Sequence, residues 1–329
     1  VSRNRRPLRS ISLNLKEGDS IDELRTAYLS KADAVTHELE DHCPDRFKAV
    51  ARKNIRQVID EHGMEKPTLV RVSTTDNPNL LADLEAIVSE NLYGIMLPKV
   101  RDEEDILKAD YLLTLMEKRA GLEVGRICIM PLPETAQGHR RAYHIVDASE
   151  RVEYMVSATN TNGDPARSIG YQWTRECTET LYIRQKVVLD TRAAGMQWPV
   201  CCNWNAMDDR EGLENYLIQN RQIGYFGSIC SPEPSYIDTV NRIFTPPQDE
   251  IDSWGEIVAL QEQYDDDVKI DGKWYARNRS KWGRLRLDLA AAYGVYPRPD
   301  RPKMKVEQVG GIMKAAEAEA IGNAGMTGD

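Results

Sequence analysis

Eight short apolar runs, each followed by a longer stretch of helical period, constrain this chain more than any other feature. They occupy residues 10–15, 34–39, 68–72, 93–97, 126–132, 152–158, 200–204 and 224–229. Apolar segments of this length read as strands buried on both faces, and their alternation with amphipathic segments is the pattern of parallel strands joined by crossover helices. Eight such units close most simply into a (β/α)8 TIM barrel. A doubly wound open sheet is the competitor, but no G-x-G-x-x-G follows a strand, and the eighth strand is easier to place in a barrel.

Helix signals fall between the strands. Asp45 after Pro44 opens a segment ending at Gly63, Asp102 opens one ending at Gly121, and Thr174 opens one ending at Gly195. After Phe244 the pattern changes: Thr245, Pro246 and Pro247 make a stop, a charged helix runs to about Tyr264, and an acidic knot follows at 265–267. The chain therefore divides into a barrel over 1–245, which carries the chemistry, and a C-terminal helical appendage over 246–329, read as a lid or oligomerisation segment. Trp254, Trp274 and Trp282 in that appendage suit docking, although aromatic side chains also fill cores.

Composition narrows the function. With 41% hydrophobic and 29% charged residues the chain is an ordinary globular protein, and 52 acidic against 43 basic residues give a net charge of -9, which argues against nucleic-acid binding. No run approaches the ~18 apolar residues of a membrane span, and Arg3, Arg5 and Arg6 precede no signal-peptide core, so a cytoplasmic protein is expected. The six cysteines lack C-x-x-C spacing and read as buried, reduced thiols.

In a barrel of this kind chemistry gathers at the C-terminal ends of the strands. There the second strand ends in Glu38-Leu39-Glu40-Asp41-His42, the third contains Arg71, and the fourth ends in Pro98-Lys99. The fifth runs to Glu134, the sixth leads to Asn160, Asn162 and Asp164, and the seventh supplies Asn203 and Asn205. This acid-rich set suits a hard divalent cation, with Glu134 and Asp164 as its ligands; otherwise each acid is a helix cap or a solvated loop charge. Arg71 interrupts an apolar strand and needs a partner, either the carboxylate of a bound 2-oxo acid or a salt bridge with Glu40 or Asp41. His42 follows the strand-two acids, and histidine is the side-chain type suited to proton chemistry at neutral pH, so it is a site candidate. His37 is expected in barrel packing, and His62, His139 and His144 on helices. Cys201 and Cys202 point to opposite faces of their strand.

These residues fall into ordered motifs. Asp33-Ala34-Val35 through Leu39-Glu40-Asp41 and Pro44 matches D-A-V-x-x-x-L-E-D-x-x-P, and Val70-Arg71-Val72 is followed by Asp76 and by Leu81 to Leu84. Gly94-Ile95-Met96-Leu97-Pro98-Lys99-Val100, Pro133-Glu134-Thr135-Ala136, Gly163-Asp164 with Gly170, and Phe244-Thr245-Pro246 extend the series. In this the chain resembles the HpcH/HpaI aldolase and citrate lyase β-subunit family, especially its malyl-CoA and citramalyl-CoA lyase-like branch.

The resemblance implies a magnesium-dependent carbon–carbon lyase, manganese being the alternative ion, acting on a 3-hydroxyacyl-CoA to give a 2-oxo acid. It assigns Glu134 and Asp164 to the metal and Arg71 to the substrate carboxylate, and Lys99 at the end of the fourth strand is taken as a second substrate-binding residue. It also implies a homotrimer or homohexamer. Two departures stand out. Asn14-Leu15-Lys16-Glu17-Gly18 replaces the family's V-P-G after the first strand, and Ala276 occupies the place of the lyase branch's catalytic aspartate. Proton transfer then falls to Glu40, Asp41 or His42, or to Asp271 or one of Asp265, Asp266 and Asp267. An aldolase for a free hydroxy-oxo acid without CoA, and a non-catalytic binding or assembly subunit, are the alternatives.

Overall fold

The computed structural model describes residues 6–159, 163–206, 208–231, 234–264, 267–270, 273–297 and 306–308. The expected positions Arg3, Arg5, Asn160, Asn162, Asp265, Asp266 and Asp271 lie outside the described residues. Two compact units are present, Val1–Phe244 and Thr245–Asp329.

The first unit is a parallel (β/α)8 barrel. Its strands are β1 (Ser10–Leu13), β2 (Ala34–Glu38), β3 (Thr68–Arg71), β4 (Gly94–Pro98), β5 (Cys128–Leu132), β6 (Tyr154–Ser157), β7 (Trp198–Cys201) and β8 (Gly227–Cys230). They run in the hydrogen-bonded order β5-β4-β3-β2-β1-β8-β7-β6. Between β5 and β6 the barrel is joined by the parallel Ile129–Val152 bridge, where the Ile129 N–H donates to the Arg151 carbonyl at 2.7 Å. Most strand residues are fully buried, because one face packs in the barrel and the other against helices. Ile55, Ile59, Leu84, Ile95, Leu113 and Ile129 belong to the larger apolar cluster, and a second gathers around Trp204, Tyr216 and Phe244.

Eight strands are where the apolar runs predict them, and the differences lie at their ends. The eighth begins at Gly227 rather than residue 224, because Gly224, at φ 111°, is the left-handed cap of the Arg210–Ile223 helix. The seventh runs over Trp198–Cys201 rather than 200–204. Thr174 does not open a helix: its N–H and hydroxyl both bond the Glu179 carboxylate in a turn, and the helix spans Leu181–Ala193. Asp102 does cap its helix, Glu103–Arg119, by accepting the Glu104 N–H. All six cysteines are buried and free. Among the described residues no helix is long and apolar enough to cross a membrane.

The thin β5–β6 junction is buttressed by a buried ion network. Arg151 pairs with Glu117 and with Asp110, each at 2.6 Å, and donates to the Ile127 carbonyl at 3.1 Å. Glu117 in turn accepts the N–H groups of Gly125 and Ile127.

The second unit pairs the Gln248–Tyr264 helix with the Ser280–Ala292 helix through Ile251, Val258, Leu287 and Ala290. Gly283 allows the approach: a Cβ there would lie 2.3 Å from the Trp254 ring. The appendage is not purely helical, since it also carries an antiparallel sheet of β9 (Val268–Ile270), β10 (Lys273–Tyr275) and β11 (Val306–Gln308). Ala276 follows β10, and its carbonyl accepts the Gln261 side-chain amide.

Removing one partner of a buried ion pair leaves the other charge uncompensated, so Glu117→Ala is expected to cost about 3–5 kcal/mol in urea unfolding. A loss below about 1 kcal/mol, the scale of an exposed pair, would show that the network does not hold the junction.

Candidate active site at the barrel mouth

Arg71 is the last residue of β3, and in the β2–β3 register it lies opposite Glu38. Its Nε donates to Glu38 Oε2 at 2.7 Å, Nη2 contacts the same carboxylate, and the Glu38 side chain is wholly buried. The sequence leaves Glu40 or Asp41 as the protein partner; the structure corrects this to Glu38, with Glu40 3.9 Å from Nη2. Burial works against the Arg71 charge, but Glu38, with Glu40 and Glu134 behind it, outweighs burial and stabilises the guanidinium. The Nη2 group also lies 3.0 Å from His42 Nδ1.

Lys99 follows β4 with φ 52°, a left-handed conformation that non-glycine residues adopt at a cost. From there its Nζ reaches Glu40 Oε1 and Asp41 Oδ2, both at 2.7 Å, and lies 3.8 Å from Asp164 Oδ2. Its backbone N–H donates to Glu134 Oε2 at 3.1 Å. Burial opposes the Lys99 charge, and its hydrogen bonds to Asp41 and Glu40 overcome that. Burial raises the Glu40 carboxyl, with Asp41 adding to the rise, whereas Asp41 is held down against burial by its hydrogen bonds to Glu40 and Lys99.

Glu134 sits beyond β5, where Thr135 caps the short Ala136–Arg140 helix by accepting the Gly138 N–H. Gly138 lets that helix press against the β4 loop, because a Cβ would lie 2.3 Å from the Val100 carbonyl. Burial pushes the Glu134 carboxyl up to about 7; Arg71 and Lys99 pull it down, and Glu40 and Asp164 push it further up. Asp164 opens the Asp164–Ile169 helix and accepts from Arg167 at 2.8 Å.

Two cavities meet at Glu134. The inner one, about 240 Å³, holds His42, Arg71, Asn203, Asn205 and Ser231 above an apolar floor that includes Met96 and Leu132. The outer one, about 730 Å³, is bordered by Glu40, Asp41, Lys48, Lys99, Arg101, Asp164 and Arg167. All seven residues singled out from the sequence therefore line one or both cavities. Cys202 faces the inner cavity and Cys201 the core. His37 is buried against the Tyr28 hydroxyl, and His62, His139 and His144 lie on helices.

Sequence reasoning missed Glu38 as the arginine partner. It also missed Lys48, which is buried and donates to the Leu39 carbonyl, and the cations Arg101 and Arg167 of the outer cavity. The signal for Glu38 was its alternation with Glu40, which puts both on one face of the strand.

The donor set fits magnesium. Glu134 is a desolvated carboxylate that the protein's own cations neutralise only in part, and Asp164 shares its cavity. Among the described residues no group of three or more His, Cys, Asp or Glu would hold an ion alone. Magnesium needs only one or two carboxylates and takes its remaining oxygens from water and substrate.

The HpcH/HpaI aldolase/citrate lyase family model matches residues 16–230. The citrate lyase β subunit of Escherichia coli (strain K12) is 27% identical over 238 residues, 72% of this chain and 77% of that protein. The L-malyl-CoA/β-methylmalyl-CoA lyase of Cereibacter sphaeroides is 28% identical over 254 residues, 71% and 78% of the two chains. A crystal structure of protein CitE from Mycobacterium tuberculosis, in complex with magnesium, acetoacetate and coenzyme A, is 18% identical. It superposes with a TM-score of 0.65 over 87% of this chain and 98% of that one, a likeness of fold.

A carboxyl raised in the folded state binds its proton more tightly than in the unfolded chain. Its contribution to stability is complete below the ordinary carboxylate range and is lost as pH rises through about 7. In metal-free protein, Glu134→Gln should therefore gain Tm over wild type as pH is raised from 6 to 8, measured by thermal melts in chelator. A Tm difference that does not change with pH would contradict this electrostatic picture.

Proposed function

Because the chain belongs to the HpcH/HpaI aldolase/citrate lyase family, we propose that it is a magnesium-dependent carbon–carbon lyase acting on a 3-hydroxyacyl-CoA such as malyl-CoA or citramalyl-CoA. The observation that carries the reading is Glu134, a desolvated carboxylate shared by a small inner cavity and a larger, charged outer one. The inner cavity suits a 2-oxo acid, whose carboxylate Arg71 would meet with the Nη1 hydrogens that Glu38 and His42 leave free. The outer cavity, with Lys48, Arg101 and Arg167, suits a thioester and the anionic groups beyond it.

Glu134 and Asp164 would hold the ion. When bound, magnesium supplies Lewis-acid stabilisation of charge on the substrate's carbonyl or alkoxide oxygen. The chain's own residues do the rest. Arg71 fixes the acid's carboxylate through a planar, permanently charged group that Glu38 keeps in one orientation. Lys99 holds Glu40 and Asp41 at the rim between the cavities. Of the proton-transfer candidates Glu40, Asp41 and His42, Glu40 is best suited to take and return the hydroxyl proton, because burial keeps its carboxyl above the ordinary range. The segment over 246–329 is assigned, on the resemblance, to assembly into a trimer or hexamer.

One observation favours a second reading, an aldolase for a free hydroxy-oxo acid: Ala276 stands where the lyase branch carries its catalytic aspartate. Calorimetry separates the two. With CoA and with glyoxylate or pyruvate, each with and without magnesium, the lyase reading expects metal-dependent oxo-acid binding and a separate CoA affinity. Oxo-acid binding with no CoA binding would favour the second reading, and failure of both ligands would contradict both. Glu134→Gln should lose magnesium affinity and turnover together; full activity in that variant would remove the metal assignment.

A further inference from the structure

The contact between Arg71 and His42 fixes the chemistry of the imidazole. A guanidinium has only donors, so at 3.0 Å from Arg71 Nη2 the Nδ1 of His42 must be the acceptor and carries no hydrogen. The ring hydrogen is then on Nε2. Glu38 Oε2, the other charged atom near Nδ1, is 4.0 Å away, too far to take a hydrogen from it. Among the described residues nothing takes the Nε2 hydrogen, and His42 lines the inner cavity beside Arg71 and Glu134.

Such a ring is poorly set up to shuttle a proton. It cannot accept one at Nε2, which already bears hydrogen, or at Nδ1, which is engaged by Arg71. Giving up the Nε2 hydrogen would leave an imidazolate anion. What it can do without changing its proton count is donate a hydrogen bond. A neutral donor contributes most to an oxygen whose charge appears only as the reaction proceeds, while the full charge of Arg71 serves a carboxylate that is anionic throughout.

We propose that His42 is a neutral, tautomer-locked hydrogen-bond donor to a substrate oxygen that becomes anionic during carbon–carbon cleavage, and that Arg71 is the lock. The assignment rests on the lyase reading above and deepens it. It gives Arg71 two tasks: Nη1 faces the substrate carboxylate while Nη2 holds the imidazole acceptor. His42 also occupies a variable place in the L-E-D-x-x-P motif, so its neighbours Glu40 and Asp41 bring it to the mouth regardless of its own identity.

Two substitutions distinguish a donor from a proton carrier. Glutamine offers Arg71 an acceptor and the substrate an N–H but cannot relay a proton, and leucine offers neither. His42→Leu should lose about 10²–10³ in kcat, the scale of one missing oxyanion donor, with KM within about threefold of wild type. His42→Gln should recover kcat to within about tenfold of wild type. A glutamine variant as slow as leucine, a leucine variant as fast as wild type, or a loss confined to KM would each overturn the proposal.

An independent readout is the 15N spectrum of histidine-labelled protein at neutral pH, with His42 assigned by its absence in His42→Gln. Nitrogen shifts of an Nε2–H ring are expected, and hydrogen on Nδ1 would overturn the lock whatever the kinetics. Should wild type cleave neither hydroxyacyl-CoA nor free hydroxy-oxo acid, the lyase reading falls, and the 15N result still decides the tautomer.

Discussion

Arg71 can be buried at the end of β3 because Glu38 lies opposite it in the β2–β3 register, and the rest of the mouth is arranged around that pair. A buried guanidinium whose N–H groups found no acceptor would be costly, and Glu38 supplies both the acceptor and the opposing charge. Glu38 meets it along the Nε–Nη2 edge and so orients the group: one edge is closed by the protein, Nη2 is shared with His42, and Arg71 lines the inner cavity. The position of the arginine thus follows from strand pairing, and the position of His42 from the arginine.

The same pair shapes the charge balance. Five carboxylates, from Glu38, Glu40, Asp41, Glu134 and Asp164, share three close cations, Arg71, Lys99 and Arg167. Glu38 takes Arg71, and the Glu40–Asp41 pair takes Lys99, whose backbone is left-handed. Glu134 accepts a backbone N–H, and burial raises its carboxyl toward neutrality against the pull of Arg71 and Lys99. A divalent cation between Glu134 and Asp164 would relieve that imbalance, so the electrostatics of the protein and the needs of the proposed chemistry point the same way.

Much of this was legible before any coordinates. Strand count and the alternation of apolar runs with amphipathic segments fold the chain as a barrel, and a strand's C-terminal end is where its polar residues matter. Glu40, Asp41, His42, Arg71, Lys99, Glu134 and Asp164 could be picked from those ends. The identity of Arg71's partner could not, because Glu38 and Glu40 share a face and only inter-strand register decides between them. Nor could the Lys99 conformation, the Lys48 ammonium buried between the Leu39 carbonyl and Ser73, or the Arg151–Glu117 network under the β5–β6 junction, since none of them has a signal in the residue pattern. The start of the eighth strand was misread for a local reason, since Gly224 serves as the cap of the Arg210–Ile223 helix and not as the first residue of a strand.

The central claim is that the charge left over at Glu134 is where this protein binds its cation, next to a carboxylate site on Arg71. Crystals grown with manganese, as a scattering substitute for magnesium, and pyruvate test it most directly through the anomalous signal of the metal. The account expects one strong peak within bonding distance of the Glu134 and Asp164 carboxylates, with the pyruvate carboxylate on Arg71 Nη1. A mouth that shows no metal peak, or a peak away from Glu134, would contradict it.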